Sequence, residues 1–198
     1  MPRLPYVILA SASPRRRELL HFLDVDFEVR PSNVPEEQQP WESPIDFVAR
    51  LAREKAEDIA RSLTPFPANT VVLGADTEVA IDAQSPESAA FGKPQSDAHA
   101  AEMLRLLSGR PHDVISAIHI CRGDAPALHE VVSTRVWFAK MTDAEIADYV
   151  ASGEATGKAG AYAIQGRAAR FIPRIEGCYY NVMGLPVAAV YELLRRAF

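Results

Sequence analysis

The chain of 198 residues has only two cysteines, Cys121 and Cys178, and they form no short repeated spacing. Two such distant cysteines exclude a disulfide framework and a cysteine-rich metal site. Long uncharged apolar runs are absent too: the first one covers only residues 6–10 and is followed by polar residues and three arginines. That run is too short for a signal-peptide core or a membrane span. We therefore expect a cytoplasmic protein with free thiols and no membrane partner.

An excess of basic residues is also absent, since 21 Lys and Arg stand against 26 Asp and Glu, for a formal net charge of −5. Such a chain has no overall basic field to drive non-specific binding to nucleic acid. Positive charge that binds phosphate must therefore be local, and we expect no nucleic-acid partner. No internal repeat or low-complexity tract interrupts the chain, and its size is typical of one compact domain spanning residues 1–198.

Helices are predicted where a serine or threonine cap precedes an apolar periodic run. By this criterion four helices are predicted: after Ser13 to about residue 23, after Ser43 to about 63, after Ser96 to about 109, and after Thr142 to about 152. A last helix, without such a cap, is predicted over about 186–196. Strands are predicted at 6–10, 71–75, 77–81, 114–121 and 131–138, with two or three short ones between 162 and 182. A surface loop is predicted at 84–90 and a glycine-rich loop at 157–166. Helices that alternate with single strands and hairpins indicate an α/β fold with a mixed sheet.

Arg15, Arg16 and Arg17 occupy the first turn of the helix that begins after Ser13. Cations are disfavoured there, because the helix dipole is positive at its N-terminus. Guanidinium groups, serine hydroxyls and free backbone N–H groups together suit a polyphosphate. The alternative is a basic helix start that faces water.

Lys55 and Asp76 are charged residues in apolar surroundings. Helical spacing places Lys55 between Leu51 and Ile59 on the buried stripe of the second helix, from which its ammonium either snorkels to the rim or enters a phosphate cleft. Asp76 ends a buried strand, where open α/β sheets place their ligands. A buried unpaired carboxylate is costly, so a metal, a cation or a reacting water is expected against it, with a capping or turn aspartate as the structural alternative.

Two loops carry further polar candidates. Lys93 follows Gly92, whose lack of a side chain lets the backbone approach a ligand, although a lone loop lysine is ordinarily a solvated charge. Gln165, in the glycine-rich loop, offers the donor and acceptor needed to read a base edge. The five histidines show no metal-ligand spacing, and no serine lies in a nucleophile elbow. One buried acid among lysines and arginines suits metal-assisted hydrolysis of a phosphoanhydride.

These motifs together resemble those of the Maf family of nucleotide pyrophosphatases. The resemblance runs from Ile8 to Leu194 and is carried, in order, by LASASPRRREL, LAREKA, LGADTEV, GKP, AEMLRLLSG, YVASGEATGKAGAYAIQG and EGCYYNVMGLP. It implies a two-lobed α/β fold with a central cleft, similar to that of inosine triphosphate pyrophosphatases. It also implies hydrolysis of a nucleoside triphosphate to the monophosphate and pyrophosphate with a divalent cation, Mg²⁺, Mn²⁺ or Co²⁺. A homodimer is the family expectation.

The resemblance also assigns roles to individual residues. Asp76 matches the family's catalytic aspartate, which accepts a proton and associates with the metal. A second acidic metal position matches Glu37, although the register leaves Glu36 open. The phosphate-binding positions of the family match one serine and four cationic residues of this chain: Ser11, Arg15, Arg16, Lys55 and Lys93. Lys55 and Lys93 are also expected to act in catalysis.

Three positions bear on the choice of base. Members that resemble the dTTP and UTP enzymes carry Arg, Thr and Gln where this chain has Arg16, Thr77 and Gln165. The 7-methyl-GTP type instead tends to have Gln after the aspartate and Glu in the later loop. The resemblance therefore favours dTTP and UTP, with modified pyrimidine nucleotides as an open variant. The alternatives are a 7-methyl-GTP or other modified-purine pyrophosphatase and a nucleotide-binding regulator of cell division.

Overall fold

The protein is described here by a computed structural model that covers residues 4–85, 87–88 and 90–198. Within these residues six strands form one sheet in the order β2-β1-β3-β4-β5-β6, in which β1 is parallel to both β2 and β3 and the other pairs are antiparallel. The predicted mixed α/β sheet is thus confirmed. The strands are β1 Tyr6–Leu9, β2 Phe27–Val29, β3 Thr70–Ala80, β4 Pro111–Arg122, β5 Ala125–Trp137 and β6 Arg174–Glu176.

The predicted helix starts are confirmed, because the hydroxyls of Ser13, Ser43, Ser96 and Thr142 each accept a backbone N–H of the first turn. Thr142 forms the predicted capping box with Glu145. The first helix passes into a 3-10 turn at its end, His21–Leu23. The helices are α1 Pro14–Leu20, α2 Pro44–Arg61, α3 Asp97–Leu107, α4 Asp143–Ala151, α5 Tyr179–Met183 and α6 Val187–Arg195.

The position of Asp76 corrects one prediction. The two short strands predicted on either side of Asp76 are one strand, β3, with Asp76 in its interior. The parallel neighbour β1 ends at Leu9, opposite Leu73, so beyond that point β3 pairs only with β4. Asp76 therefore lies just past the carboxyl end of the parallel part of the sheet, which is where such sheets bind ligands.

The segment from 162 to 182 is a second correction. Instead of two or three strands it contains a 3-10 turn at Arg167–Phe171, the single strand β6 and the short helix α5. The glycine-rich loop before it is also ordered locally, with Gly160 at φ +67°. The surface loop predicted at 84–90 includes Pro86 and Ala89, which lie outside the described residues.

The helices cover the sheet unequally. Helix α2 packs on one face, over β3 and β4. On the other face, α1 and α6 form one apolar cluster around Ala75 of β3, and α3 and α4 form a second around Val79. Because side chains alternate along a strand, Thr77 lies on the same face as these two residues, between the two clusters. Asp76 faces α2.

No helix in the described parts of the chain combines the length and the apolar composition needed to cross a bilayer.

Candidate active site

A cleft of about 360 Å³ opens where β3 passes between the two clusters. Its walls come from the segment before α1, from α2 and β3, and from the glycine-rich loop. Eight of the residues singled out from the sequence line this one cleft: Ser11, Arg15, Arg16, Lys55, Asp76, Thr77, Lys93 and Gln165.

The face toward α2 is built around a buried ion pair. Lys55 and Asp76 are each 5% exposed, and the Lys55 ammonium donates to Asp76 Oδ1 at 2.6 Å. The same ammonium donates to Glu36 Oε1 at 2.5 Å, and Lys93 donates to the other Glu36 oxygen at 3.4 Å. Lys55 therefore points into the cleft and does not snorkel to the rim.

Two neighbouring acids are candidates for the second acidic position. Glu36 lines the cleft, whereas Glu37 is outside its lining and accepts from Arg50 through its backbone carbonyl. Burial acts against ionisation of Glu36, but the hydrogen bond and charge of Lys55, aided by Lys93, outweigh it and lower its pKa. This geometry favours Glu36 over Glu37, and the metal role of either residue stays a prediction.

Two carboxylate oxygens in the cleft have no partner. Among the described residues, Asp76 Oδ2 and Glu78 Oε2 are inaccessible to solvent and accept no hydrogen bond. Glu78 lies two residues along β3 from Asp76 and therefore on the same face. Burial, followed by the charges of Asp76 and Glu36, raises the pKa of Glu78 to about 8. This part of the cleft is short of positive charge.

The residues fit a divalent cation in their chemistry. Mg²⁺ and Mn²⁺ prefer oxygen ligands, and Asp76 offers a buried oxygen with no other partner. Within the described residues, no three His, Cys, Asp or Glu side chains already stand together as a ligand set. The carboxylates now held by Lys55 would therefore have to turn toward an ion to share it.

The opposite face of β3 is organised by Arg16. This guanidinium is 9% exposed and donates to Ser11 Oγ at 3.2 Å, to Thr77 Oγ1 at 3.1 Å and to the Gly184 carbonyl at 3.0 Å. All three acceptors are neutral, and Arg16 forms no ion pair within the described part of the chain. A buried charge without a counter-charge is costly, so this site is suited to an anion.

Arg15 and Lys158 add to this positive end of the cleft. Arg15 donates to the Gly157 carbonyl at 3.5 Å, which brings the glycine-rich loop against α1. Burial and then the charge of Arg16 lower the pKa of Arg15, while burial and then Arg15 lower the pKa of Lys158. The mutual repulsion of these cations would be relieved by a bound polyphosphate.

A third part of the cleft is less polar. Tyr162, Ala163, Val182 and Met183 line it together with Gln165, whose side chain is exposed. Apolar walls with a few polar groups are typical of the pocket for a planar ligand such as a base.

Sequence reasoning missed three functional candidates. In the sequence, Lys158 is one residue of the glycine-rich loop and Ser116 is one residue of a predicted strand, and no pattern distinguishes either from its neighbours. Glu78 did carry a signal, because it is an acid within an otherwise apolar strand two positions after Asp76, and period-two alternation places both on one face.

The fold and the site together define an α/β protein whose cleft joins an end lined by arginine and lysine side chains to a group of carboxylates. The family described as Maf-like protein matches residues 6–197. The chain belongs to the Maf family.

Similar proteins agree with this assignment. A dTTP/UTP pyrophosphatase of Koribacter versatilis is 47% identical over 96% of this chain and 94% of its own. A dTTP/UTP pyrophosphatase of Xanthomonas euvesicatoria pv. vesicatoria is 48% identical over 94% and 95%. Among solved structures, a HAM1 protein from Coxiella burnetii aligns over 98% of this chain and 100% of its own, with a TM-score of 0.51 and 15% identity. That last likeness concerns the fold alone.

Proposed function

We propose that this protein hydrolyses dTTP and UTP between the α- and β-phosphates and releases the monophosphate and pyrophosphate. The observation that carries the proposal is the cleft itself, in which the buried and unpaired Arg16 faces one side of β3 and the Lys55–Asp76 pair faces the other. The relatives described above act on these two nucleotides according to their names.

The cationic end of the cleft binds the triphosphate. Arg15, Arg16 and Lys158 contribute guanidinium and ammonium groups that have no carboxylate partner among the described residues. Arginine forks bind phosphate oxygens with two parallel hydrogen bonds, so they fix the orientation of the chain of phosphates as well as its charge. Lys93 at the opposite rim neutralises charge that builds up on the leaving group.

Asp76 accepts a proton from the attacking water. That water attacks the α-phosphorus, the bond to the bridging oxygen breaks, and pyrophosphate leaves. Lys55 donates to Oδ1 of Asp76, and Oδ2 accepts no hydrogen bond within the described residues. A divalent cation, Mg²⁺, Mn²⁺ or Co²⁺, bound by Asp76 and Glu36 would supply positive charge against the phosphate oxygens. Lys55 keeps these two carboxylates close together.

The base lies in the less polar part of the cleft, beside Gln165. The amide of Gln165 has a donor and an acceptor, both of which a pyrimidine edge with a carbonyl and an N–H can satisfy. Modified pyrimidine nucleotides that keep this edge belong to the same proposal. A cytoplasmic location stays an expectation from the sequence, and a homodimer stays an expectation from the family resemblance.

The experiment that tests this function compares kcat/KM for dTTP, UTP, ATP, GTP and 7-methyl-GTP with Mg²⁺ or Mn²⁺. We expect the two pyrimidines to be preferred by at least about tenfold, because a bound base of the wrong kind would cover the Gln165 amide and leave it unpaired. A preference for 7-methyl-GTP would assign the chain to the modified-purine type. Binding of nucleotide without turnover would instead favour a regulatory protein.

A further inference from the structure

We infer that Glu78 is a ligand of the divalent cation, in addition to Asp76 and Glu36. This inference rests on the proposed pyrophosphatase site and adds to it a residue that the family resemblance does not assign. Three carboxylates then share one ion at the α2 face of the cleft.

Two buried carboxylate oxygens in the described part of the cleft have unsatisfied hydrogen-bonding capacity. Asp76 is 5% exposed, and its Oδ2 accepts no hydrogen bond within the described residues; the same is true of Glu78 Oε2. Both residues line the cleft and lie on the same face of β3. Buried carboxylate oxygens are normally paired or coordinate a metal.

The nearby lysines do not satisfy Glu78. Lys55 donates to Asp76 and Glu36, and Lys93 donates to Glu36. Neither lysine donates to Glu78 in the described structure, so the three carboxylates outnumber the two ammonium groups. A divalent ion would supply the missing charge and accept oxygen ligands of this kind.

The test measures Mn²⁺ binding in the absence of nucleotide, by electron paramagnetic resonance of the free ion. We compare wild type with Glu78→Gln and with Glu102→Gln, which removes an exposed carboxylate of α3 outside the cleft lining. Glu78→Gln is expected to weaken binding by roughly tenfold or more, the size seen when groups around metal ligands are altered. Glu102→Gln should bind like wild type.

A stability measurement keeps the test informative. Without metal, Glu78→Gln should melt at the same temperature as wild type or higher, because it removes an unpaired buried acid. With saturating Mn²⁺ the rise in Tm should be smaller in Glu78→Gln than in wild type. Equal Mn²⁺ affinity in both proteins, or no measurable Mn²⁺ binding by wild type, would overturn the inference. Neither result depends on dTTP hydrolysis, which tests the proposed function separately.

A second inference comes from the other face of β3: we propose that Ser116 is a positioning residue for Arg16, acting through Thr77. Ser116 is fully buried on β4, directly opposite Thr77 in the sheet. Their hydroxyl oxygens are 2.7 Å apart. Thr77 Oγ1 also accepts from Arg16 at 3.1 Å and donates to the Gly184 carbonyl at 3.2 Å.

The number of hydrogen bonds that one hydroxyl can make decides the direction of these contacts. A threonine hydroxyl has one donor and two acceptor sites. When the Thr77 hydroxyl donates to the Gly184 carbonyl, both of its acceptor sites are filled, one by Arg16 and the other by Ser116. Thr77 then has no capacity left for the base, so it influences substrate choice by fixing the Arg16 guanidinium.

Kinetics of Ser116→Ala, Ser116→Thr and Ser133→Ala test this role. Ser133 is an exposed serine of β5 outside the cleft lining. Ser116→Ala should lose roughly fivefold or more in kcat/KM for dTTP, the equivalent of one buried hydrogen bond. The loss should appear mainly in KM, and Ser116→Thr, which restores the hydroxyl, should recover it. Ser133→Ala should be unchanged. Unchanged KM in Ser116→Ala, or equal losses in Ser116→Ala and Ser116→Thr, would overturn the role.

Discussion

Asp76 has two carboxylate oxygens in different surroundings: Oδ1 is held by Lys55, and Oδ2 is buried without a partner among the described residues. Replacement by Asn keeps the shape and an oxygen that can accept from Lys55, but removes the charge that receives a proton or holds a metal. Asp76→Asn should therefore reduce kcat for dTTP by about 10²-fold or more and leave a folded protein. Activity above about a tenth of wild type would remove Asp76 from the catalytic role.

A matched control for that variant lies on the next strand. Asp113 is also a buried carboxylate, but it pairs with Arg135 at 2.9 Å and does not line the cleft. Asp113→Asn should lower the Tm and preserve kcat. Comparison of the two variants separates loss of chemistry from loss of a buried charge.

Gln165 is the residue on which the choice of base is predicted to depend. Gln165→Glu replaces an amide donor by an acceptor, which should cost roughly 1–3 kcal/mol against a pyrimidine carbonyl and favour a purine edge with N–H donors. The ratio of kcat/KM for dTTP to that for GTP should therefore fall, while inhibition by pyrophosphate stays the same. An unchanged ratio would show that Gln165 does not read the base.

At the scale of residues, the sequence predicted those whose charge conflicts with a regular pattern. Lys55 could be recognised because the helical period predicts an apolar residue at its position. The three arginines could be recognised because the helix dipole disfavours cations at a helix start. Glu36 could not be separated from Glu37, because an irregular loop has no period. The contact of Ser116 with Thr77 depends on strand register, which a single sequence does not define.

Helix α2 and strand β3 position the Lys55–Asp76 pair through a close contact at Gly74. A Cβ at this position would lie closer than 3.0 Å to the Ala52 carbonyl oxygen and the Ala56 amide nitrogen. Gly74→Ala should therefore push α2 away from the sheet and cost about 2 kcal/mol or more in the free energy of unfolding. Because α2 carries Lys55, kcat should fall as well.

Gly92→Ala is the control for this prediction, because a Cβ there meets no atom of the described residues within 4 Å. It should change the denaturation midpoint very little. If Gly74→Ala were as stable as Gly92→Ala in urea, the close packing of α2 on β3 would be wrong.

His112 makes the packing of β4 sensitive to pH. It is fully buried, its Nε2 lies 2.9 Å from the Tyr162 hydroxyl, and burial, partly opposed by Asp113, lowers its pKa to about 4. The unfolded chain takes up this proton near pH 6.5 and the folded chain only near pH 4. The contribution of neutral His112 to the free energy of unfolding is therefore fully present above pH 6.5. It decreases by on the order of 3 kcal/mol as the pH falls to about 4.

Urea denaturation between pH 4 and 7.5 checks this prediction. His112→Gln keeps an amide within reach of Tyr162 but does not titrate, so its stability should fall less steeply with acid than that of wild type. Parallel pH profiles for the two proteins would contradict the buried neutral state of His112.

At the scale of elements, helix starts were predictable because a capping side chain and the first turn are adjacent in sequence. Strand β3 was divided wrongly, since the acid at position 76 looks like an interruption unless its partner on α2 is known. Strands were predicted in the 162–182 segment from its local composition. Its turns depend instead on contacts with distant parts of the chain, such as the hydrogen bond that the Ala139 N–H donates to the Phe171 carbonyl.

The whole molecule uses one strand to bring two kinds of chemistry together. Asp76 and Thr77 are neighbours in sequence but face opposite sides of the sheet, so the cleft receives the carboxylates from the α2 side and Arg16 from the other. The two apolar clusters around Ala75 and Val79 leave a gap at Thr77, where the cleft opens. The mixed sheet was predictable from the order of elements, but this gap depends on how the clusters pack.

The products formed from dTTP test the central claim most directly. Separation of the products by ion chromatography, with Asp76→Asn as the blank for contaminating phosphatases, should give dTMP and pyrophosphate in equal amounts and no dTDP. Release of dTDP with orthophosphate, or equal turnover by wild type and Asp76→Asn, would contradict hydrolysis between the α- and β-phosphates at this site.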